Sequence, residues 1–438
     1  MPEEKVDFHN NARRIVSNIE KIKNEERILA KNKKKILEFI DSCRARNLAN
    51  PTLSKDCYAL WYIGFHLQKD FTKCKRLDIE KLCTKINNQK AKNKKTKEEK
   101  DWSPETKRNH KVIMKKLFQW LYSMDKGEYP DCVKWVETTL KESQTKLPED
   151  LLTEDDIKAL MSACENIRDK TLISLLFETG CRVGELLNIR LKHIEIINSG
   201  NDAFVMLNGK TGMRRVPIVV SIPPIASYMA IHPFRKTVEE GDDPNYDPNS
   251  FLFLTRMYRT KGTKGSKSEW KPLGYTSVRK ILFLASKKAG IKKNIHPHLF
   301  RHSSATINAK YFTDAQMRAY HGWSKSSRTP SIYTHLSAKD MVEAVNKKYG
   351  RKTEESKPKF TIIDCPRCQR RNSPDAKFCA GCALPLTKEA SMQLKTAQTD
   401  SNITVENLQK ISKMDVEKIL ELSEMLKKME FENYKKKH

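Results

Sequence analysis

Five short segments between residues 179 and 336 carry side chains that suit chemistry on a phosphodiester. In chain order they contain Arg182, Lys210, His298 with Arg301, Trp323 and Tyr333. A phosphodiester is negatively charged, and its oxygens gain further negative charge in the transition state of its cleavage. Guanidinium groups are planar, permanently charged and able to bind two oxygens at once, so the two arginines suit that charge.

The remaining side chains of the set suit proton transfer and nucleophilic attack. A tyrosine hydroxyl has an ordinary pKa of about 10, so Tyr333 would attack well only beside positive charge. A lysine can protonate a leaving oxygen, and a histidine can exchange a proton with the nucleophile or with the phosphate. With two arginines and a lysine providing the electrostatic stabilisation, no catalytic metal is expected.

Each of these segments alone would be weak support for catalysis. A lone lysine at a hairpin tip is usually solvated, a lone arginine after a turn is usually a surface ion-pair residue, and a lone tyrosine is usually half-buried packing. Only the ordered combination favours a catalytic site over these structural explanations.

The ordered segments resemble those of the tyrosine recombinase (phage integrase) family, with features of its archaeal members. The resemblance implies that Arg182 and Arg301 hold the scissile phosphate and that Lys210 protonates the leaving 5′ oxygen. It further implies that His298 acts as general acid/base, that Trp323 donates its indole N–H to the phosphate, and that Tyr333 forms a 3′-phosphotyrosyl link. The supporting residues are Glu185, His302 and His321, and His321 stays open as the alternative to Trp323 for the phosphate contact.

The function implied by this resemblance is that of a site-specific DNA recombinase or integrase that needs no ATP. Double-stranded DNA is the expected partner, with four copies of the chain assembling on two DNA sites. Two alternatives stay open, namely relaxation of DNA in the manner of a type IB topoisomerase and a DNA-binding accessory protein without catalysis. Target sequence and direction of reaction do not follow from the residues.

A second cluster of chemically active residues lies near the end of the chain. Cys365 and Cys368 form one C-x-x-C pair, and Cys379 and Cys382 form another ten residues later. Two such pairs supply four thiolates at tetrahedral reach, which predicts a structural zinc ribbon. A redox dithiol pair is the weaker alternative, because scattered thiols without a secretory signal indicate a reducing compartment.

Composition agrees with a nucleic-acid partner. The 438 residues include 83 lysines and arginines against 54 aspartates and glutamates, a formal charge of +29, which favours binding to a polyanion. The first residues lack the apolar core of a signal peptide, and no apolar run approaches the length of a membrane span. We therefore expect a cytoplasmic, nucleoid-associated protein that does not contact a membrane.

The elements that must position these residues are mostly helical. Phe204–Leu207 and Arg215–Val220 predict two strands of a hairpin with Lys210 at its tip. Ser103 before Pro104 and Thr153 with Asp156 predict helix starts. The expected fold is mainly α with a small antiparallel sheet (α+β). Its predicted segments are a charged arm (1–28), a helical core-binding domain (29–127), a linker (128–149), a catalytic domain (150–350), a zinc ribbon (360–388) and a terminal helix (402–438).

Overall fold

The structure of the protein is a computed structural model. It describes residues 6–92, 98–139, 150–197, 202–209, 211–235, 246–257, 269–333, 345–346, 348–350, 360–393 and 396. The terminal helix predicted over 402–438 and Lys210 lie outside these residues. The chain divides into two compact units between residues 149 and 150, and each is described by itself.

The first unit is helical, with one small hairpin. Its elements are α1 (Asn11–Asn24), α2 (Ala30–Ala45), α3 (Asn50–Leu67), a 3₁₀ turn (Phe71–Lys73), α4 (Arg76–Asn87), β1 (Lys90–Lys92), β2 (Glu99–Asp101), α5 (Pro104–Leu121) and α6 (Asp131–Lys134). Helix α3 packs against α1, α2, α4 and α5, so apolar residues occur around much of its circumference. The start of α5 is as predicted, since the Ser103 hydroxyl accepts the Thr106 N–H and Pro104 occupies the first turn.

Two segments predicted as an arm and a linker contribute to the core of this unit. The charged arm predicted over 1–28 contains α1, whose Ile15 and Ile22 are buried in the core. Their seven-residue spacing places them on one helix face. The linker predicted over 128–149 contains α6, and Val133 and Val136 also join the core.

The second unit contains the predicted catalytic segments. Its helices are α7 (Glu154–Ala163), α8 (Ile167–Thr179), α9 (Val183–Leu187), α10 (Ile222–Ala230), α11 (Tyr275–Lys288), α12 (Pro297–Asn308) and α13 (Asp314–His321), with 3₁₀ turns at Leu191–His193 and Pro330–Ile332. Helix α8 is buried over most of its length and packs on α7, α10 and α12. The predicted capping box starts α7, because Thr153 and Asp156 bind each other's backbone N–H groups.

Small antiparallel sheets complete the second unit. Their strands are β3 (Ile194–Ile197), β4 (Asp202–Gly209), β5 (Gly212–Ile218), β6 (Leu254–Met257), β7 (Glu269–Pro272), β8 (Ile363–Asp364) and β9 (Arg371–Asn372). The predicted hairpin is β4–β5, with Val205 opposite Val216 and Gly209 opposite Gly212. The fold class, mainly α with small antiparallel sheets, is therefore confirmed. None of the helices in the described ranges is both long and apolar enough to cross a membrane.

Candidate active site

The first arginine segment forms the junction between α8 and α9. Gly180 ends α8 with a left-handed φ of 55°, a conformation that costs glycine little. Arg182 is the N-cap of α9, and the Glu185 carboxylate accepts its backbone N–H at 3.2 Å and its Nη1 at 2.8 Å. The Arg182 side chain is 39% exposed and that of Glu185 only 4%. Glu185 therefore anchors Arg182 while its guanidinium still reaches solvent.

The second arginine lies on the buried face of α12. Arg301 is 3% exposed, and its Nη1 donates to the Gly180 carbonyl at 2.9 Å while Nη2 donates to the His321 carbonyl at 2.7 Å. Burial, followed by the nearby Arg182 charge, lowers the pKa of Arg301 to about 10. The group thus stays protonated at neutral pH, and its direct hydrogen bonds are to neutral carbonyls.

Tyr333 follows the 3₁₀ turn Pro330–Ile332 and lies between an indole and an imidazole. Its ring stacks on Trp323 with centroids 5.7 Å apart and planes 3° from parallel, and its hydroxyl lies 2.7 Å from Nδ1 of His302. The Arg301 guanidinium carbon lies 5.4 Å from the centre of the Trp323 ring. Burial raises the pKa of Tyr333, and the Arg301 charge opposes this only in part.

The two histidines of α12 lie one turn apart and differ in environment. His298 is exposed, and its ring meets the edge of the His302 ring at 4.7 Å and 81°. His302, half-buried, is the one in hydrogen-bond contact with the Tyr333 hydroxyl. The residue predicted as merely supporting is therefore the histidine in contact with the expected nucleophile.

His321 and Trp323 also occupy different positions. His321 is fully buried, and burial, then the charges of Arg301 and Arg214, lowers its pKa to about 3. Trp323 is half-buried and stacks between the rings of His321 and Tyr333. Of the two candidates for the phosphate contact, Trp323 is the one that lies against the tyrosine.

The neutral state of His321 predicts a pH dependence of stability. Its folded-state pKa lies below the ordinary histidine value of about 6.5, so the unfolded chain binds the proton first as the pH falls. The stability contribution is present above pH 6.5 and is lost between about pH 6.5 and 3. In urea unfolding, His321→Gln should therefore lose stability less steeply than wild type below pH 6.5, by up to about 1.4 kcal/mol per pH unit. Parallel pH profiles would contradict this.

Arg214 belongs to the site but was not predicted as one of its residues. From β5 its Nη2 contacts Glu185 Oε2 at 2.7 Å and its Nε donates to the Tyr320 carbonyl at 3.0 Å. It thereby links the hairpin, the first arginine segment and α13. Strand alternation could have found it, because Arg214 shares its face of β5 with the buried Val216 and Ile218.

The arrangement around Arg214 predicts a large loss of stability in Arg214→Met. In wild type, burial raises the pKa of Glu185, but Arg214 and Arg182 outweigh this effect and lower the pKa. In the variant the carboxylate would stay buried while one of these two cationic partners is missing. We expect the free energy of unfolding in urea to fall by about 3 kcal/mol. Arg215→Met, one position along and 47% exposed beside Glu195, is the matched control and should change it by less than about 1 kcal/mol. Equal losses in the two variants would refute the buried link.

The residues on either side of Lys210 lie against the site. Thr211 Oγ1 donates to the Gly322 carbonyl at 3.2 Å, next to Trp323 in the chain. A Cβ added at Gly209 would lie 2.7 Å from Glu185 Oε1, so only glycine fits there without displacement. The hairpin therefore approaches both the first arginine segment and the end of α13.

Comparison with known proteins gives this constellation a family. Residues 150–340 match the model of the phage integrase family. These residues include every predicted catalytic side chain from Arg182 to Tyr333. This part of the chain is similar to the phage integrase family.

Two known proteins that are similar to this chain each match about half of its length. Tyrosine recombinase XerA of Pyrococcus horikoshii is 30% identical over 206 residues, which are 46% of this chain and 63% of that protein. Transposase A from transposon Tn554 of Staphylococcus aureus is 25% identical over 244 residues, 53% of this chain and 60% of that protein. The chain thus spans less than two thirds of the length of these relatives.

Among solved structures, the post-cleavage complex of the XerH site-specific recombinase with a palindromic difH substrate is similar. It gives a TM-score of 0.49 at 17% identity, over 79% of this chain and 98% of that chain.

The cysteine module lies outside the integrase-family match. Its sulfurs lie within 4.8 Å of one another, with Cys365 and Cys382, and likewise Cys368 and Cys379, 3.5 Å apart. A tetrahedral zinc with bonds of about 2.3 Å to sulfur has sulfur–sulfur edges of about 3.8 Å. The donor set therefore fits zinc in both chemistry and spacing.

The same module packs on α7 and α8 of the second unit. Phe360 is buried with its ring edge-on to Phe177 at 5.2 Å, and its N–H donates to Glu154 at 3.1 Å. The Asp375 carboxylate, 2% exposed, pairs with Lys170 at 2.8 Å. Phe360 and Asp375 thus contact α7 and both ends of α8. Helix α8 ends at Gly180, whose carbonyl accepts a hydrogen bond from Arg301.

Proposed function

We propose that this chain is a site-specific recombinase that cleaves and rejoins duplex DNA through a 3′-phosphotyrosyl intermediate at Tyr333. One observation carries the proposal. In a phage integrase family domain, the hydroxyl of a half-buried tyrosine contacts a histidine, while the tyrosine ring stacks on an indole beside the buried Arg301 guanidinium. A tyrosine used only for packing needs neither neighbour.

The charge of the site supports a phosphodiester as the ligand. Arg182, Arg214 and Arg301 supply three positive charges against the single carboxylate of Glu185, which leaves the group of four with two positive charges. A phosphodiester carries one negative charge and gains more in the transition state. Fixed cations in a partly buried site stabilise that added charge without reorganising.

The roles of the residues follow from this ligand. Arg182 and Arg301 would bind the non-bridging oxygens, Trp323 would donate its indole N–H to one of them, and Lys210 would protonate the leaving 5′ oxygen. His298 would act as a general acid/base at the phosphate. We further propose that four copies act on two DNA sites, since strand exchange requires two broken duplexes, and that the excess of basic residues binds backbone phosphates.

Covalent trapping followed by peptide mapping tests the proposal. The full chain is incubated with nicked duplexes from its own genomic neighbourhood, denatured and digested, and the DNA-linked residue is found by mass spectrometry. We expect a single phosphotyrosine link at Tyr333 and one enriched DNA site. An adduct on another residue would overturn the site, and the absence of any adduct on a duplex bound specifically would favour a DNA-binding accessory protein. Equal relaxation of supercoiled DNA without that site would favour a topoisomerase.

We also propose that Cys365, Cys368, Cys379 and Cys382 hold a structural zinc. When bound, the ion would cross-link β8 and the following turns, and so keep the module folded against α7 and α8. All four ligands come from the protein, which leaves no open position for catalysis.

This zinc proposal predicts a loss of stability when a ligand is removed. Cys379→Ser should reduce bound zinc from one per chain to well below one, measured by elemental analysis. It should also lower the melting temperature of the second unit by at least about 5 °C, because metal binding is linked to folding. Cys164→Ser changes a half-buried thiol outside the cluster and should leave the zinc content unchanged. A zinc-free wild-type protein with the same melting temperature would refute the role.

A further inference from the structure

We infer that His302 is the group that takes the proton of Tyr333 during DNA cleavage, and that the neighbouring His298 is not. This inference rests on the proposed recombinase function and adds a catalytic residue to it. The observation is the distance of 2.7 Å between Nδ1 of His302 and the Tyr333 hydroxyl oxygen. This is the length of a hydrogen bond, and the tyrosine proton could pass directly across it to the imidazole.

The surroundings of His302 hold it in this contact. It directly follows Arg301, whose guanidinium is fixed by the Gly180 and His321 carbonyls. On the other side, Trp323 stacks flat on the Tyr333 ring. His298, one helical turn earlier, is exposed and packs edge-on against the His302 ring. The nucleophile is thus held between a fixed imidazole and a fixed indole.

The proton balance of the reaction requires such an acceptor. With His302 neutral and protonated on Nε2, Nδ1 accepts the phenolic proton as the tyrosine oxygen bonds to phosphorus. The bond from phosphorus to the 5′ oxygen breaks, and that oxygen takes its proton from a separate acid, which is Lys210 in the proposed function. In rejoining, a 5′ hydroxyl gives its proton to the lysine and attacks phosphorus, and His302 returns its proton to Tyr333.

Burial makes the acceptor necessary. Because burial raises the pKa of Tyr333 above its ordinary value, little of the phenol is ionised at neutral pH. A base in contact with the hydroxyl removes the proton only as the new bond forms, and general base catalysis of this kind typically contributes about 100-fold or more to a rate.

The test compares His302→Asn with His298→Asn on two substrates. Asparagine places an oxygen near the position of Nδ1 that can accept a hydrogen bond but not a proton. The substrates are the trapped DNA site with its normal phosphodiester and the same site with sulfur replacing the leaving 5′ oxygen. A thiolate leaves without protonation, so the sulfur substrate removes the need for the leaving-group acid but not for the base.

We expect His302→Asn to form the covalent adduct about 100-fold more slowly than wild type on both substrates. Lys210→Ala should be slow on the oxygen substrate and close to wild type on the sulfur substrate, and His298→Asn should be affected less than His302→Asn on both. A His302→Asn rate within about threefold of wild type overturns the inference. So does recovery of that variant on the sulfur substrate, which would assign His302 to the leaving group.

Failure of the proposed function gives a different result. In that case wild type itself forms no adduct on a site that it binds, and both proposals fall. If His302→Asn does not fold, as judged by its melting curve, His302→Gly assayed with added imidazole decides the matter. Recovery of adduct formation with rising imidazole supports the role of His302, and no recovery in the folded variant overturns it.

Discussion

Tyr333→Phe should form no covalent adduct with DNA while still binding the trapped site. The substitution removes the only atom that could bond to phosphorus, and loss of a nucleophile typically costs at least about 10⁴-fold in rate. The phenylalanine ring keeps the stack on Trp323. The measurement is a denaturing gel of protein mixed with the nicked site, with a filter-binding assay on the same samples.

The expected separation of binding from cleavage has a physical basis. The Tyr333 hydroxyl is in hydrogen-bond contact with His302, and losing such a bond typically costs about 1 kcal/mol. The melting temperature should therefore change little. Residual adduct in Tyr333→Phe would show that another residue is the nucleophile. If the variant lost DNA binding as well as the adduct, the tyrosine would have a structural role in packing instead.

Arg301→Lys should slow adduct formation by about 1,000-fold, the second largest effect we expect. The guanidinium makes two hydrogen bonds in different directions, to the Gly180 and His321 carbonyls. A lysine ammonium carries the same charge on one atom, so it cannot keep both contacts and also bind the phosphate. The rate is measured in single-turnover trapping with protein in excess over DNA.

Arg318→Lys is the control for this charge-conserving change. Arg318 lies on α13, and its guanidinium binds the Ser327 carbonyl and Asp314 within its own segment. We expect a rate within about fivefold of wild type. If Arg301→Lys were equally mild, the positive charge alone would suffice, and the two fixed hydrogen bonds of the guanidinium would not be needed for the reaction.

Features that depend on neighbouring residues could be predicted from the sequence. The capping pair of Thr153 and Asp156 lies three residues apart in the chain, and the β4–β5 hairpin turns over a few residues. The four cysteine sulfurs lie close together, and each C-x-x-C pair contributes two of them from one short turn. In each case the interaction is set by local backbone geometry, which the spacing of residue types already specifies.

Features that depend on burial could not be predicted in the same way. The charged residues of α1 indicated an arm, but Ile15 and Ile22 lie in the core. The contact between Arg214 and Glu185 spans 29 positions, and that between His302 and Tyr333 spans 31. No spacing rule relates residues so far apart, because the distance between them is set by how the helices and the hairpin pack.

The sequence by itself determined which residues are present for the chemistry, in what order they occur and which family their motifs resemble. Only the tertiary structure decided how they are arranged. It enclosed His321 and stacked Trp323 on the tyrosine, it placed His302 rather than His298 at the hydroxyl, and it added Arg214 to the arginine cluster. The reason is physical, since a side chain acquires its charge state and its partners from the groups that exclude water around it.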